Sequence, residues 1–263
     1  MNKKKLLLGM LLVGSVILFT GCKSNVTDKP LTMHFGDTVR EVTYTGEFEN
    51  DAPNGKGTIK GTNSAGTNWV YEGEVKDGKM DGKGKTTWAT GLAQEGTYKD
   101  NYIVEGKITS NGKVLYEGKI DHGIPDKPMT PIGQFTSYAD WDYKVDSKTN
   151  VNTIGNDAAQ QSFLILRMSI KNNGSTPRQF ADAQGKFVLF DNKGRQFAQD
   201  DEAMLAARLI GSYSSNWYLD KFNPGATGDV VLIFDVPKDA AGLKLLPVKG
   251  VYKADAIDIG TAQ

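Results

Sequence analysis

The sequence predicts an all-β protein of two domains, a ribbon of stacked hairpins followed by a β-sandwich. Three observations lead to this prediction. Tyrosine and glycine recur at fixed offsets in the first half, apolar strand-like runs such as FLILRMSI and VVLIF fill the second, and the proline-rich stretch IPDKPMTP separates them. The predicted domains span residues 41–125 and 131–259.

The first domain contains internal repeats, which begin at Tyr44, Tyr71, Gln94 and Tyr116. The starts are 27, 23 and 22 residues apart, spacings that are typical of a repeat array in which each unit is one supersecondary element. The second unit, YEGEVKDGKMDGKGKTTWATG, is the most regular. The third and fourth units keep fewer of its glycines.

Each unit has the pattern of a β-hairpin. Tyr71, Gly73 and Val75 fall on one face by the period of two of a strand, and Asp77-Gly78 is a turn dipeptide. Gly84 lies on the return strand, where we expect the aromatic ring of a neighbouring unit to rest against the backbone. A lone hairpin is marginally stable, so the units must stack to bury their apolar face.

These residues resemble the MORN repeat, with its Tyr-Glu-Gly start and Gly-x-Gly return. The resemblance covers residues 44 to about 123. It implies an elongated ribbon of hairpins, and it implies a protein that binds or organises partners and does not catalyse a reaction.

GKMDGKGKT, residues 78–86, has the glycines and the Gly-Lys-Thr ending of a phosphate-binding loop. Gly78, however, leaves five residues before Gly84, where that loop needs four, and Thr86-Thr87-Trp88 continues as a strand where the loop would open a helix. The stretch is therefore interpreted as the turn and return strand of a hairpin.

The second domain alternates strands and tight turns. In FLILRMSIKNNG one face carries four apolar residues, Leu164, Leu166, Met168 and Ile170. FVLFDNKGRQFA predicts a hairpin around Asp191–Gly194, and VVLIF a strand buried on both faces. Only Asp201–Leu209 has a helical pattern, with Asp200 as its N-cap and Gly211 at its end. Seven or so strands in about 125 residues predict an immunoglobulin-like sandwich.

WDYKVDSKTNVNTIGND, SIKNNGSTP, FVLFDNKGRQF and NPGATGDVVLIFDVPKDAAGLKL resemble the telokin-like domain of unknown function that is common in exported bacterial lipoproteins. This resemblance spans about residues 131–259. It implies the sandwich fold and an exported location, and it brings no established catalytic residues.

The N-terminus has the pattern of an export signal. Lys3, Lys4 and Lys5 precede a fourteen-residue apolar run, and Phe19-Thr20-Gly21-Cys22 resembles the lipoprotein box, in which the cysteine receives a diacylglycerol. We therefore predict a signal peptide over residues 1–21, lipid attachment at Cys22, and a polar tether over residues 22–40. The alternative is an ordinary secretory signal with an incidental cysteine. The predicted location is the outer face of the cell membrane, or the outer membrane if the organism has one.

Charge and composition exclude several classes of function. The chain has 31 basic and 31 acidic residues, without the clustered basic excess of a nucleic-acid-binding protein. The two histidines, His34 and His122, are too few for a histidine triad or a multi-histidine zinc site. Asp200 and Glu202 are better explained as a solvated helix N-terminus than as an acid/base pair. DNKG and the QDDE segment offer oxygen ligands for calcium, but DNKG is explained by its turn and neither run fits an EF-hand loop. We expect no catalytic residues, no metal site and no cofactor.

Four aromatic residues are the candidate binding residues: Trp69, Trp88, Tyr98 and Tyr102. An exposed aromatic row on a ribbon could stack on sugar rings or on the apolar groups of a partner. In that hypothesis, replacement of Tyr98 and Tyr102 by serine abolishes capture and leaves the melting temperature nearly unchanged. The alternative is that the four rings pack between successive hairpins.

The sequence thus predicts a non-enzymatic, surface-tethered lipoprotein that serves as a binding or scaffold module at the bacterial cell envelope. Its predicted partners are the membrane, through the N-terminal lipid, and an envelope protein or glycan. The alternative is a lipid-anchored accessory protein that senses or carries a small molecule or an ion.

Overall fold

The computed structural model describes residues 23–36, 38–184, 186–211, 213 and 219–262. The predicted signal peptide and the predicted lipid attachment at Cys22 lie outside the described residues. Nine antiparallel strands pair in chain order in the first domain: β1 (Ser24–Phe35), β2 (Thr38–Glu49), β3 (Ala52–Thr62), β4 (Asn68–Lys76), β5 (Lys79–Trp88), β6 (Leu92–Lys99), β7 (Tyr102–Ser110), β8 (Lys113–Asp121) and β9 (Ile124–Pro125). The predicted hairpin ribbon is confirmed.

A row of seven glycines in register crosses the ribbon from β2 to β8: Gly46, Gly57, Gly73, Gly84, Gly96, Gly106 and Gly118. The tyrosine that begins a unit lies over this row. A Cβ atom on Gly84 would be 2.4 Å from Cε2 of Tyr71, and one on Gly57 would be 2.3 Å from Cε2 of Tyr44. Each ring therefore covers glycines of its own unit, so the expectation that the ring comes from a neighbouring unit is wrong.

Tight turns join successive strands of the ribbon. Both central residues have positive φ at Asn50-Asp51, Asp77-Gly78, Asp100-Asn101 and Asn111-Gly112, the conformation of type I′ hairpin turns, whose twist matches that of the strands. The turns also bond to one another. The amide of Gly78 donates to the carbonyl of Pro53 at 3.0 Å, and that of Asn101 to the carbonyl of Met80 at 3.0 Å.

The face of the ribbon opposite the tyrosines carries charges of alternating sign. Glu72, Lys85, Glu95, Lys107 and Glu117 are partners on successive strands. Two of these pairs are ion pairs at 3.3 Å, Lys85 with Glu95 and Lys107 with Glu117. Because the pairs are exposed, each contributes little stability, and the face as a whole is solvated and electrically balanced.

The first strand corrects the predicted tether over residues 22–40. Ser24–Phe35 pairs with Thr38–Glu49, with one irregularity between Val26 and Lys29. The physical reason is visible in LTMHF, where Leu31, Met33 and Phe35 alternate and pack against the apolar face of the ribbon. This period-two signal was missed because Asp28, Lys29 and Pro30 precede it.

The second domain consists of short sheets. Its strands are β10 (Thr130–Pro131), β11 (Thr136–Tyr138), β12 (Trp141–Ile154), β13 (Asp157–Asn172), β14 (Arg178–Gln179), β15 (Phe187–Phe190), β16 (Gln196–Ala198), β17 (Lys221–Phe222), β18 (Thr227–Asp235), β19 (Leu243–Pro247) and β20 (Ile257–Gly260). One sheet has the order β10-β20-β19-β15-β16, the second β11-β12-β13-β18, and β14 pairs with β17. The two larger sheets enclose one apolar core, which confirms the predicted sandwich.

Helical structure is more extensive than predicted. The helix α2 (Asp201–Leu209) has the predicted bounds, and Asp200 caps it by accepting a hydrogen bond from the amide of Ala203 at 2.9 Å. The expectation that it is the only helix is wrong, because α1 (Phe180–Gln184) and a 3₁₀ turn (Val248–Gly250) are also present. Within the described part of the chain, no helix is long and apolar enough to cross a membrane.

The two domains are packed against each other. Asp126–Met129 connects β9 to β10. Ile124 joins a small apolar cluster with four residues of the second domain: Phe190, Leu246, Ala254 and Ala256. Nζ of Lys244 lies 2.7 Å from Oδ2 of Asp121, and Tyr252 packs against the core of the ribbon.

Candidate functional site

A cavity of about 610 Å³ lies where the tyrosine face of the ribbon meets the β15–β16 hairpin of the second domain. Its volume is in the range of small-molecule sites. Met80, Tyr98 and Ile103 line it from the ribbon, and Gly194 and Phe197 from the hairpin. The approach is close, since a Cβ atom on Gly194 would be 2.8 Å from the ring of His122.

The ribbon curls so that its first strand contributes to this cavity. The side-chain amide of Asn101, in the β6–β7 turn, donates to the backbone carbonyl of His34 at 2.9 Å, although 67 residues separate the two. The same side chain accepts a hydrogen bond from the amide of Met80 at 2.8 Å. Asn101 therefore holds the end of β1 beside β7, which places Phe35 and Gly36 in the lining.

All four predicted aromatic residues line this cavity. Trp69 and Trp88 are cross-strand partners, and the ring of Phe35 meets that of Trp69 edge-on at 6.0 Å. Tyr102 meets the ring of His122 edge-on at 5.0 Å. The structure thus brings the four together, although Trp69 and Tyr98 are only 5% and 2% exposed and do not form an exposed row.

Tyr98 has a structural role that its sequence position did not reveal. Its hydroxyl lies 2.8 Å from Oγ1 of Thr86 and donates to the carbonyl of Gln94 at 3.1 Å. Its ring meets that of Tyr71 at 5.0 Å. Burial raises the pKa of Tyr98 to about 12, and the hydrogen bond with Thr86 offsets part of that rise. The expectation that replacing Tyr98 by serine leaves stability unchanged therefore conflicts with its burial.

The hairpin of the second domain is fixed by a buried carboxylate. Oδ1 of Asp191 accepts hydrogen bonds from the amides of Lys193 and Arg195, and its Oδ2 accepts from Nε of Arg195 at 2.7 Å. Asp239 pairs with the same two cations, at 2.6 Å from Nζ of Lys193 and 3.2 Å from Nη2 of Arg195. Both carboxylate oxygens of Asp191 in the DNKG turn are thus bonded within the protein.

Sequence reasoning missed three important lining residues, Phe35, Arg40 and Phe197. The first two lie in the segment predicted as a tether. Phe197 lies in a hairpin that was predicted, but nothing local indicated that the hairpin would face the ribbon. Only the alternation of Leu31, Met33 and Phe35 could have pointed to this side of the cavity.

The described lining offers binding groups and few groups suited to catalysis. His122 is its only described histidine, and Nδ1 of that ring lies 2.7 Å from Oδ1 of Asp121. Burial acts to raise the pKa of Asp121, but the hydrogen bonds and charges of Lys244 and His122 outweigh it and hold that pKa below its usual value. No described cluster of three or more histidine, cysteine or acidic residues is arranged to hold a metal ion.

The fold defines a two-domain, all-β protein with a cavity between a hairpin ribbon and a sandwich. The family model of the MORN repeat matches residues 44–65 and 71–93, and that of a domain of unknown function, DUF4352, matches residues 130–257. The chain therefore joins MORN repeats to a DUF4352 domain, a combination that suggests a binding or scaffold module.

No curated protein matches the chain. Among solved structures, the chain is similar to the crystal structure of the yjhA protein from Bacillus subtilis, at 13% identity and a TM-score of 0.32, over 49% of this chain and 98% of that chain.

Proposed function

We propose that this protein is a non-enzymatic, surface-tethered lipoprotein that acts as a binding module at the bacterial cell envelope and holds its ligand in the cavity between the two domains. The observation that carries the proposal is the convergence of Trp69, Trp88, Tyr98 and Tyr102 on one cavity together with residues of the second domain. Aromatic rings supply large apolar contact area at low cost in side-chain entropy.

The chemistry of the described lining supports binding over catalysis. Its hydroxyl and amide groups at Thr86 and Asn101 are engaged in hydrogen bonds that hold the ribbon together. The carboxylates at the α2 N-terminus do not line the cavity, and Asp200 acts there as the helix cap.

The anchor part of the proposal rests on the sequence. A lipid on Cys22 would leave only Lys23 before β1 begins at Ser24, so the ribbon would lie close to the membrane surface. Cys22→Ser is expected to move the full-length protein from the membrane to the soluble fraction on cell fractionation. Retention of this variant in the membrane fraction would contradict lipid anchoring.

Co-sedimentation with purified cell-wall sacculi tests the binding part. The full-length protein, kept in a detergent without a sugar headgroup, is expected to sediment with sacculi, and Trp88→Ala is expected to lose most of this binding. Phe135→Ala is the matched control, because Phe135 is 55% exposed and does not line the cavity. Absence of binding, or equal binding by both variants, would overturn the proposal.

The alternative of a small-ligand sensor or carrier is favoured by one observation, that both domains line the cavity. A ligand that contacts both would stabilise the junction as well as each domain. A sensor would bind a soluble ligand released by the wall, whereas a wall-binding module would bind the intact wall. A soluble fragment of sacculi that raises the melting temperature, without co-sedimentation of the protein, would therefore favour the sensor.

A further inference from the structure

The cavity contains a cation that no carboxylate among the described residues neutralises. Arg40 lies on β2, half-buried, and lines the cavity. Its Nη1 donates to the carbonyl of Thr62 at 3.3 Å, and its guanidinium lies 5.9 Å from the centroid of the Phe35 ring. Among the described residues it makes no ion pair, and no aspartate or glutamate belongs to the described lining.

The other two cations of the lining are already paired. Lys193 contacts Asp239, and Arg195 contacts both Asp191 and Asp239. These four side chains have no net charge together. The unbalanced charge of the cavity is therefore that of Arg40, and an arginine fork with free donors is suited to a carboxylate, which it can bind through two hydrogen bonds.

The surroundings of Arg40 combine aromatic rings with free polar groups. Phe35 and Trp88 are half-buried and line the cavity on the ribbon side. Thr38, Ser64 and Gln196 also line it, and their side chains are exposed and make no hydrogen bond to another described residue. A ligand that satisfies this lining needs an apolar ring face and several hydroxyl groups as well as a negative charge.

We propose that the cavity binds an acidic carbohydrate, with a sugar ring against the aromatic residues and a carboxylate at Arg40. The inference rests on the proposed function, because it names the ligand class of the same cavity. A sugar ring has an apolar C–H face that packs on aromatic rings and a rim of hydroxyls that suits threonine, serine and amide side chains. A flat aromatic acid has no hydroxyl groups to offer those three exposed polar side chains.

Isothermal titration of the full-length protein in a detergent without a sugar headgroup tests this ligand class. The probes are a glucose disaccharide, the same disaccharide with a terminal glucuronic acid, and indole-3-acetate. We expect the acidic disaccharide to bind at least about tenfold more tightly than either of the others, because a charge-assisted hydrogen-bond pair contributes that much or more. Added salt is expected to reduce this preference.

Arg40→Gln is expected to weaken binding of the acidic disaccharide about tenfold or more and to leave the neutral disaccharide unchanged. The control is Lys76→Gln, which removes a positive charge from an exposed position on β4 outside the cavity and is expected to change neither affinity. Circular dichroism spectra of both variants verify that they are folded.

Equal affinity for the neutral and acidic disaccharides, tighter binding of indole-3-acetate, or an acidic-disaccharide affinity that Arg40→Gln leaves unchanged would overturn the inference. The proposed function would still stand if sacculi were bound through Trp88. Conversely, an acidic disaccharide that binds through Arg40, without any binding of sacculi, would support the ligand class and contradict a role at the cell wall.

Discussion

The glycine row leaves the space in which the tyrosine rings of the ribbon lie. The rings of Tyr44 and Tyr71 are fully buried over glycine backbone, and their hydroxyls donate to the carbonyls of Glu47 and Glu74 at 2.6 and 2.7 Å. In the third unit, Gln94 stands where the other units have tyrosine, and it lines the cavity. The position at which the third unit departs from the repeat thus belongs to the candidate site.

Gly84→Ala is expected to destabilise the protein by about 1–3 kcal/mol, because the added methyl group would overlap the Tyr71 ring and overpacking costs about that much. Urea unfolding measures the change. Lys85→Ala, on the opposite face of the same strand, is the control and should change the free energy of unfolding by less than about 0.5 kcal/mol. A neutral Gly84→Ala would show that the ring does not lie over this glycine.

The buried hydroxyl of Tyr98 gives stability a dependence on alkaline pH. The pKa of Tyr98 is raised from 10.0 to about 12 by burial, so the unfolded chain loses the proton first. Its contribution is fully present below pH 10 and is lost as pH rises to 12, in total about 2–3 kcal/mol. Urea unfolding at pH 9 and 11.5 should show a smaller decline for Tyr98→Phe than for the unmodified protein. Equal declines would contradict the assignment to Tyr98.

The first strand is the element on which the shape of the site depends most. β1 pairs with β2 along most of its length, and the bonds of Asn101 hold its end against a turn six strands away in sheet order. Without these contacts, β1 and β2 would form a hairpin at the edge of the sheet, and Phe35 and Arg40 would have no opposite wall of the cavity to face. The cavity therefore depends on a single buried amide as well as on strand pairing.

Asn101→Gly is expected to lower the free energy of unfolding by about 1–3 kcal/mol, since it leaves the amide of Met80 without its partner. Glycine is the suitable replacement because φ of Asn101 is +76°. Hydrogen exchange should become faster in Ser24–Phe35 and stay unchanged in β8. Asn111→Gly is the control, because φ is also positive there and its side chain is exposed. Unchanged exchange in β1 would contradict the role of Asn101.

Local patterns predicted the hairpins, the sandwich strands, and the helix Asp201–Leu209 with its Asp200 cap, because periodicity and turn chemistry act over a few residues. They could not predict the cavity. The contact of Asn101 with the carbonyl of His34 spans 67 residues, and the approach of Gly194 to His122 joins two domains. Arg40 was overlooked because it lies in a segment whose strand pattern is interrupted by Asp28, Lys29 and Pro30.

Both domains line the cavity, so their relative position determines its shape. Tyr252 is the clearest link. It belongs to the second domain, packs against the core of the ribbon, and is hydrogen-bonded to the side chain of Gln94. Together with the cluster around Ile124 and the Lys244–Asp121 ion pair, it favours unfolding of the two domains as one cooperative unit.

Tyr252→Ala is expected to separate the calorimetric unfolding of the protein into two transitions, because it removes an aromatic contact between the second domain and the core of the ribbon. Loss of a half-buried aromatic ring and its hydrogen bond weakens the junction without opening either core, so each domain should still fold. Val248→Ala, at a position that is 51% exposed near the same junction, should keep a single transition.

Since the cavity needs both walls, Tyr252→Ala should also weaken binding of the acidic disaccharide. A single transition with unchanged affinity would mean that the β15–β16 hairpin is held against the ribbon by the Ile124 cluster and the Lys244–Asp121 pair alone.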